Sequence, residues 1–241
     1  MLAGRIVSRR RPFCSMVRLN KALASKGICS RREADDYIRS GKVRVDGVVV
    51  DQLGSKVRPA QRIDLDQGEV NARRHLATVL FHKPVGIVSS QAEPGERPAR
   101  SFIELDAELA VCGRLDKMSH GLLVMTEDGA LARRLIGGRD LIEKEYNVEY
   151  EGDELNHLQL DLLRNGSMII EGVQIRRCVV DVVGDHRLRM ILVEGRNQQI
   201  RRMLRIVGAH VTSLCRTRIG NVHLGDLQPG QWRLMQPGDV F

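Results

Sequence analysis

One segment of the sequence combines residue types that could start a reaction: Gly113-Arg114-Leu115-Asp116-Lys117, followed closely by Gly121. It places one carboxylate between two cations, directly before an apolar run at 121–126. Neighbouring positive charge keeps a carboxylate ionised, and an ionised carboxylate can act as a nucleophile or a base. Asp116 is therefore a candidate catalytic residue, although for such a motif taken alone an ordinary solvated turn is the better interpretation.

A second candidate segment, Glu194-Gly-Arg-Asn-Gln-Gln-Ile-Arg-Arg-Met203, gathers hydrogen-bond donors where a strand gives way to a helix. Apolar residues recur there at i, i+3, i+4 and i+7, which predicts a helix with one buried side (Ile200, Met203, Leu204 and Val207). Asn197 can cap this helix. Arg196, Asn197 and Gln199 would lie near the positive end of its dipole, where they could face RNA. A helix with a basic, solvent-exposed face is the alternative.

Tyr146, in the segment Lys144-Glu145-Tyr146, is a third candidate. Aromatic residues make up only 3% of the chain, which excludes an extended stacking surface for single strands, so a few placed rings must suffice. Tyr146, Val148 and Tyr150 alternate with polar residues, as in a half-buried strand. A tyrosine in this setting is more often part of a core than of a site.

Several common kinds of site are excluded because their motifs are missing. The sequence contains no G-x-x-x-x-G-K-[ST] phosphate loop, no G-x-G-x-x-G fingerprint and no G-x-S-x-G elbow. The five cysteines and seven histidines are scattered, without a CxxC, HxxxH or HxH pair. This argues against a disulfide framework or a metal cluster and for a reducing compartment. We therefore expect acid, base or nucleophile chemistry without a cofactor or a metal.

The elements that must position these candidates are a mixture of strands and a few helices. Apolar patterns predict strands at 78–82, 121–126, 179–183 and 187–193, and helices at 155–163 and after Asn197. Such a mixture indicates an α+β domain on a largely antiparallel sheet, which we assign to residues 77–241.

A smaller module of two helices and a β-hairpin is predicted at residues 17–66. Ser30 and Glu33 have the spacing of a capping box, and two valine-rich runs around Asp46-Gly47 predict the hairpin. The polar residues 67–76 are expected to form a linker. Residues 1–16 are basic and are expected to form a tail, with a short organellar transit segment as the alternative.

The net charge of +8 and the isoelectric point of about 9.6 suit a polyanionic partner. Basic residues are dense on the small module, and they spare its apolar stripes; the candidates for phosphate contact are Arg18, Lys21, Arg31, Arg32, Lys42 and Arg44. Each Lys or Arg at a phosphate adds salt-sensitive affinity. A merely solvated face is the alternative. No apolar run approaches the roughly 18 residues that a membrane helix needs.

The residues just described carry two resemblances. The stretch from Arg18 to Val50, with Arg31-Arg32-Glu33-Ala34 and the G-x-V-x-V-D-G hairpin, resembles an S4 RNA-binding domain. The remaining motifs resemble the RsuA/RluB/RluE/RluF pseudouridine synthases, in the family's order and most like the RluF branch, which acts on large-subunit rRNA. These motifs are KPVGIVS from Lys83, GRLDK, KEYNV, EGRNQQIRRM and LCRTRIGNV from Leu214.

The resemblance implies a role for each matching residue. Asp116 would initiate cleavage of the uridine C1′–N1 bond, by attack at C1′ or by abstraction of the 2′ proton. Tyr146 would stack on the base, and Arg201 would pair with the catalytic aspartate. Leu214 would pack the pocket wall, and Arg114 would contact RNA phosphate. Lys83, Arg196, Asn197 and Gln199 are the further substrate-binding candidates.

The expected partner is therefore structured ribosomal RNA with a flipped-out uridine, free or in a ribosomal particle. We expect a cytoplasmic monomer without membrane contact, or a mitochondrial or plastid protein if residues 1–16 are a transit segment. Two alternatives stay open: a synthase acting on tRNA or small-subunit rRNA, and a non-catalytic S4-type RNA-binding protein.

Overall fold

The computed structural model describes residues 16–26, 28–66, 68, 76–137 and 140–241. The chain divides into two compact units, Met1–Arg74 and His75–Phe241. Except for residues 16, 68 and 76, the predicted tail and linker lie outside the described residues. No helix in the described ranges has both the length and the apolar composition required to cross a membrane.

The N-terminal unit packs two helices against short strands. Its elements are β1 (Val17–Arg18), α1 (Leu19–Ser25), α2 (Arg31–Arg39), β2 (Val43–Val45), β3 (Val48–Val49), β4 (Lys56–Val57) and β5 (Ile63–Leu65). β1 pairs with β4, and the other three strands form an antiparallel sheet in the order β3-β2-β5. In the described part of this unit, the core contains ten buried apolar residues, among them Leu19, Leu23, Ala34, Ile38 and Val43.

Both local predictions for this unit are confirmed. Ser30 Oγ accepts from the Glu33 backbone N–H, and the Glu33 carboxylate accepts from the Ser30 N–H, so the capping box starts α2. Asp46 and Gly47 have φ values of 51° and 83° between β2 and β3. Positive φ at both central residues is the requirement of a two-residue type I′ hairpin turn.

The C-terminal unit is built on one large sheet. Its strands are β6 (Thr78–Lys83), β7 (Ala110–Cys112), β8 (His120–Thr126), β9 (Lys144–Glu151), β10 (Ile169–Ile170), β11 (Val173–Gln174), β12 (Val179–Gly184), β13 (Arg187–Leu192), β14 (His210–Ile219), β15 (Val222–His223) and β16 (Trp232–Leu234). The large sheet runs β12-β13-β9-β14-β8-β6-β16, with β7 on β8 and β15 on β14, while β10 and β11 form a separate two-stranded sheet. Only the β14–β8 pair is parallel among the described ladders of this sheet. The predicted α+β fold is thus confirmed.

Three α-helices are described in this unit: α3 (Gly129–Ile136), α4 (His157–Arg164) and α5 (Gln199–Ile206). The stripe predicted for α5 is buried together with Tyr146, Val148 and Leu214 from the sheet. The predicted cap is wrong: Gln198, with φ 50° and ψ 31°, precedes the helix and makes no side-chain cap. Asn197 lies one residue earlier, and its amide oxygen accepts from Arg202 instead (3.0 Å).

Candidate active site

A cavity of about 660 Å³ opens on one face of the large sheet. This volume lies within the range of roughly 300–1,000 Å³ that is typical of ligand sites. Seven of the nine catalytic and substrate-binding candidates line it: Arg114, Asp116, Tyr146, Arg196, Asn197, Gln199 and Leu214. Lys83 and Arg201 do not line the cavity. Both donate hydrogen bonds to the backbone of the loop that carries Asp116.

The floor of the cavity comes from the two neighbouring strands β9 and β14. Tyr146 and Arg216 are directly opposite each other in the ladder, as are Val148 and Leu214. Tyr146 is 9% exposed, and its side chain packs with Leu214 and Ile200 in the same apolar cluster. One face of the tyrosine ring therefore rests on a rigid core while the residue still borders the cavity.

The loop between β7 and β8, residues 113–119, carries Asp116 and is fixed through its own backbone. Ser89 Oγ donates to the Leu115 carbonyl (2.6 Å) and accepts from the Leu115 N–H (2.9 Å). The Gly86 N–H donates to the Lys117 carbonyl (2.8 Å), and the Ser119 N–H donates to the Asp116 carbonyl (2.9 Å). Within the described residues, the half-buried Asp116 carboxylate itself makes no hydrogen bond or ion pair.

Lys83 is fully buried at the end of β6, and it forms a hydrogen bond to the same loop. Its Nζ donates to the carbonyls of Ile87 (2.7 Å), Pro84 (2.9 Å) and Lys117 (3.4 Å). Burial lowers the pKa of Lys83 to about 8, the nearby Asp116 carboxylate raises it in part, and Arg216 lowers it further. Lys83 is thus an electrostatic neighbour of Asp116, and its ammonium protons are directed to main-chain oxygens.

Arg216 is the largest fully buried side chain of the described residues and borders the cavity next to Tyr146. Its Nε donates to the Leu122 carbonyl and its Nη2 to the Gly113 carbonyl, each at 2.8 Å. A buried guanidinium must keep its donors satisfied, and these two bonds tie β14 both to β8 and to the start of the Asp116 loop.

Arg201 does not form the ion pair with Asp116 that the family resemblance implies. From α5 its Nη2 donates to the Met118 carbonyl (2.9 Å) and its Nη1 to the Val211 carbonyl (3.1 Å). Those two carbonyls belong to the Asp116 loop and to β14. Arg201 therefore acts on Asp116 through the loop backbone rather than through its carboxylate.

The segment 194–199 forms a second wall, and its polar groups are largely used within the segment. Gln199 is 5% exposed; its Oε1 accepts from the Arg196 N–H (3.0 Å) and its Nε2 donates to Glu194 (2.9 Å). Arg196 Nη2 lies 3.5 Å from the same carboxylate, while its buried Nε has no partner among the described residues. Gln199 therefore shapes the wall, while Arg196, whose residue lines the cavity, has one buried donor left unsatisfied within it.

The cavity is cationic. Five cationic side chains line it (Arg114, Lys117, Lys144, Arg196 and Arg216), against the two carboxylates of Asp116 and Glu194. Lys117 is engaged by Glu96 (2.8 Å). Arg114 is exposed at the rim, and burial together with Arg216 lowers the pKa of Lys144. Such a lining favours a polyanionic ligand.

In the N-terminal unit, the six basic candidates are all exposed: Arg18, Lys21, Arg31, Arg32, Lys42 and Arg44. Arg31 and Arg32 form the first turn of α2, directly after the Ser30 cap. Arg39, at the other end of α2, is paired with Asp36 (2.9 Å). The first-turn arginines are therefore better placed for phosphate contact than the arginine that ends the helix.

Sequence reasoning missed three residues that build the site: Ser89, Lys144 and Arg216. Arg216 stands two positions after Leu214 on the same side of β14, and this position was the available signal. Ser89 ends the KPVGIVS motif and Lys144 begins KEYNV. The role of Ser89 could not be predicted from its motif, because its partner Leu115 is 26 residues away.

Comparisons with known proteins agree with this architecture. The sequence matches the family model described as RNA pseudouridylate synthase over residues 77–205 and the S4 domain over residues 17–63. It is 37% identical over 224 residues to the dual-specificity RNA pseudouridine synthase RluF of Escherichia coli K12, covering 91% of this chain and 75% of that protein. The identity to the ribosomal large subunit pseudouridine synthase B of Bacillus subtilis is 32% over 232 residues, covering 93% and 94%.

A third relative is an RNA pseudouridine synthase from Aquifex aeolicus, 33% identical over 234 residues with 93% of this chain and 94% of that protein covered. Among solved structures, a crystal structure of a pseudouridylate synthase superposes with a TM-score of 0.66, covering 91% of this chain and 96% of that chain. Its sequence identity of 24% makes it a likeness of fold.

Proposed function

Because this chain belongs to the RNA pseudouridylate synthase family and carries an S4 domain, we propose that it isomerises a uridine of large-subunit ribosomal RNA to pseudouridine. Two relatives that cover most of the chain support the substrate class: one is named for the ribosomal large subunit, and the other is a dual-specificity synthase. The exposed basic residues of the S4 domain supply the phosphate contacts that an RNA substrate requires.

The observation that carries the proposal is the state of Asp116. Hydrogen bonds to neighbouring backbone groups fix its loop, while its carboxylate has no partner in the described part of the chain. Five cationic side chains line the same cavity. A fixed and unengaged carboxylate at such a cavity is suited to attack on a substrate or to proton abstraction from it.

In the proposed reaction, Asp116 initiates cleavage of the C1′–N1 bond, by attack at C1′ or by removal of the 2′ proton. The detached uracil turns within the cavity and rejoins C1′ through its C5 atom. C5 loses its proton to solvent and N1, freed from the ribose, takes one up, so the product is an isomer of the substrate. The reaction requires no external oxidant, reductant or energy source.

The other cavity residues bind and orient the nucleotide. Tyr146 offers its ring for stacking on the base, a contact worth about 1–3 kcal/mol. Leu214 forms the apolar wall beside it, and Arg114 and Arg196 are the donors for phosphate and ribose at the rim. Stacking and phosphate contacts together offset the few kcal/mol needed to extrude the uridine from its helix.

The decisive experiment is tritium release from ribosomal RNA labelled at uridine C5. We expect release with the wild-type chain and a fall of at least roughly 10³-fold with Asp116→Asn, because the initiating group is lost while the cavity shape is kept. Asp106→Asn, an exposed aspartate outside the cavity, should retain full activity. RNA binding by Asp116→Asn should be unchanged.

The same assay separates the alternatives. Transcripts of large-subunit rRNA, small-subunit rRNA and tRNA, offered separately, identify the substrate class. Release from tRNA or small-subunit rRNA alone would overturn the large-subunit assignment. No release from any of them, or from ribosomal particles, with RNA binding intact would favour a non-catalytic binding protein.

We further propose that the chain acts as a cytoplasmic monomer, on free RNA or on an assembling particle. The scattered cysteines support a reducing compartment, and Cys112, Cys178 and Cys215 form no disulfide among the described residues. Sedimentation at micromolar protein concentration tests the monomer.

A further inference from the structure

Three metal-ligating side chains meet on the large sheet, at a place that the proposed reaction does not use. His82 lies on β6, His120 on β8 and Cys215 on β14, three neighbouring strands. One ring nitrogen of each histidine and the Cys215 sulfur all lie within 4.8 Å of one another. The two imidazole rings are nearly parallel, with an interplanar angle of 13° and centroids 5.8 Å apart.

This cluster faces away from the catalytic cavity. Successive side chains of a strand point to opposite faces of a sheet. Leu214 and Arg216 line the cavity, so Cys215 between them points to the other face. His120, on β8, is not among the residues that line the cavity. The cluster is therefore separated from the reacting groups by the sheet itself.

His82 is oriented as a metal ligand would be. Its residue is 7% exposed, and its Nδ1 lies 2.7 Å from the Leu227 carbonyl. Because a carbonyl only accepts, Nδ1 carries the ring proton and Nε2 presents a free lone pair. That Nε2 atom is buried and has no hydrogen-bond partner among the described residues. Metal-binding histidines commonly donate their other ring N–H to a backbone carbonyl, which fixes the tautomer.

We propose that His82, His120 and Cys215 bind one Zn²⁺ ion, with the fourth position open to water. Imidazole and thiolate are the ligands that this borderline-soft ion prefers. Ligand bonds of about 2.0–2.3 Å in tetrahedral geometry place the donor atoms roughly 3.3–3.6 Å apart. Because the present separations are at most 4.8 Å, the donor atoms need to approach one another by no more than roughly 1.5 Å.

The Ser213 hydroxyl lies 3.3 Å from His120 Nε2, close enough to help orient that ring. Cys215 would bind the ion as a thiolate, so metal binding releases the proton of its thiol.

No local sequence motif announces this site, because its ligands come from three strands that are distant along the chain. A bound ion would cross-link β6, β8 and β14 immediately behind Lys83 and Arg216, the two buried cations that shape the cavity floor. Its expected effect is on the stability of that floor rather than on the chemical step.

The test is Co²⁺ and Zn²⁺ binding by the full-length, chelator-treated protein without a polyhistidine tag. We expect one Co²⁺ per chain, with thiolate-to-cobalt charge-transfer absorption in the near ultraviolet and the intense visible bands of a tetrahedral site. Stoichiometric Zn²⁺ should displace both signals. Cys215→Ser should lose the charge-transfer band, and His120→Gln should weaken Co²⁺ binding at least tenfold.

Three variants serve as matched controls. Cys178→Ser removes a half-buried thiol that donates to Leu163, His223→Gln removes an exposed histidine, and Cys14→Ser removes the thiol outside the described residues. All three should bind as the wild type does. Thermal unfolding gives a second readout that does not depend on activity. Zn²⁺ should raise the Tm of the wild type and of the three controls, and it should leave the Tm of Cys215→Ser and of His120→Gln unchanged.

Circular dichroism establishes that each variant is folded, which matters most for any change at the buried His82. Binding of less than one equivalent of Co²⁺ by the folded wild type would overturn the proposal. So would a charge-transfer band or a Zn²⁺-dependent Tm shift that survives in Cys215→Ser.

Discussion

At the scale of the residue, the cations around Asp116 are used to shape a loop. Lys83, Arg201 and Arg216 each donate to main-chain carbonyls of residues 113–119. Because these carbonyls accept the protons, positive charge lies near Asp116 while its carboxylate, which lines the cavity, keeps its acceptor sites for a substrate.

Arg201→Lys tests this positioning role. A lysine cannot bond the Met118 and Val211 carbonyls at once in the geometry of the guanidinium fork, so the loop should lose one of its supports. We expect kcat to fall roughly 10- to 100-fold, the cost of a small misplacement of a reacting group, with KM for RNA changed less than about threefold. Steady-state tritium release measures both constants.

Arg205→Lys is the matched control, because Arg205 lies exposed on the same helix and should tolerate the change. A variant whose KM rises while kcat stays at the wild-type value would show that Arg201 binds RNA and does not position the loop.

The sequence motifs located Asp116, Tyr146 and Leu214, and the structure gathers all three at one cavity. They could be found because each sits in a short segment with a recognisable pattern. The contacts of Arg201 could not be foreseen, since they depend on which carbonyls of 113–119 face α5. Arg216 was missed for a similar reason: its bonds to Gly113 and Leu122 span 103 and 94 residues.

At the scale of the element, the parallel contact between β8 and β14 determines where the Asp116 loop enters the sheet. Gly121 pairs with Arg216 across this contact and has a φ of 104°. A Cβ built at Gly121 would lie 2.3 Å from the Arg216 carbonyl oxygen and 2.6 Å from its backbone nitrogen. Only glycine allows the two backbones to approach so closely.

Gly121→Ala should therefore separate β8 from β14 and displace both Arg216 and the loop. The positive φ alone costs about 1–3 kcal/mol, and the backbone clash adds to it. Gly95→Ala is the control, since Gly95 also has a positive φ of 87° but would place its Cβ in open space. We expect Gly95→Ala to show only the cost of the positive φ. Equal reductions of the unfolding free energy in the two variants, measured with urea, would contradict the clash.

The hydrogen-bond network at Glu145 predicts a pH dependence of stability. Its carboxylate lies 2.9 Å from Arg189 on β13 and 3.2 Å from Arg218 on β14, so it links three strands. Burial by itself raises the pKa of Glu145, but the bonds and charges of the two arginines outweigh it and hold the pKa below the ordinary 4.5. The stabilisation is therefore fully present above pH 4.5 and is lost as the pH falls through the lowered pKa.

Glu145→Gln should accordingly reduce the unfolding free energy by about 1–2 kcal/mol at pH 7, and its difference from the wild type should shrink below pH 4.5. Urea unfolding over this pH range measures the difference. Glu151→Gln, an exposed position at the end of the same strand, should have no effect. If the difference in unfolding free energy between Glu145→Gln and the wild type stays constant down to pH 3, the ionised Glu145 carboxylate is not its source.

At the scale of the whole molecule, each of the two units has its own apolar core and carries its own part of RNA recognition. The capping box and the Asp46-Gly47 hairpin were predicted from the sequence because each depends on residues that are close together along the chain. The order of strands in the large sheet was not predicted, since pairs such as β6 with β16 join segments about 150 residues apart. Whether the N-terminal unit contributes to RNA binding and not to the chemical step can be tested by removing charged side chains.

Replacing the two arginines of the first turn of α2 should weaken RNA binding without affecting the chemical step. Every phosphate that is no longer neutralised reduces the slope of log Kobs against log salt by about 1, so Arg31→Ala with Arg32→Ala should reduce it by up to about 2. The Ser30–Glu33 capping box, which needs neither side chain, should keep the helix intact. Fluorescence anisotropy with labelled rRNA fragments over a series of salt concentrations measures the slope.

Arg62→Ala provides the comparison within the same unit. Arg62 is as exposed as the α2 arginines, but its Nε lies 2.9 Å from Asp64, so its charge is already balanced and the slope should stay at the wild-type value. At saturating RNA, kcat of the double variant should also equal that of the wild type, because Asp116 and its loop belong to the other unit. A reduced kcat with an unchanged salt slope would mean that these arginines influence the catalytic unit and do not bind phosphate.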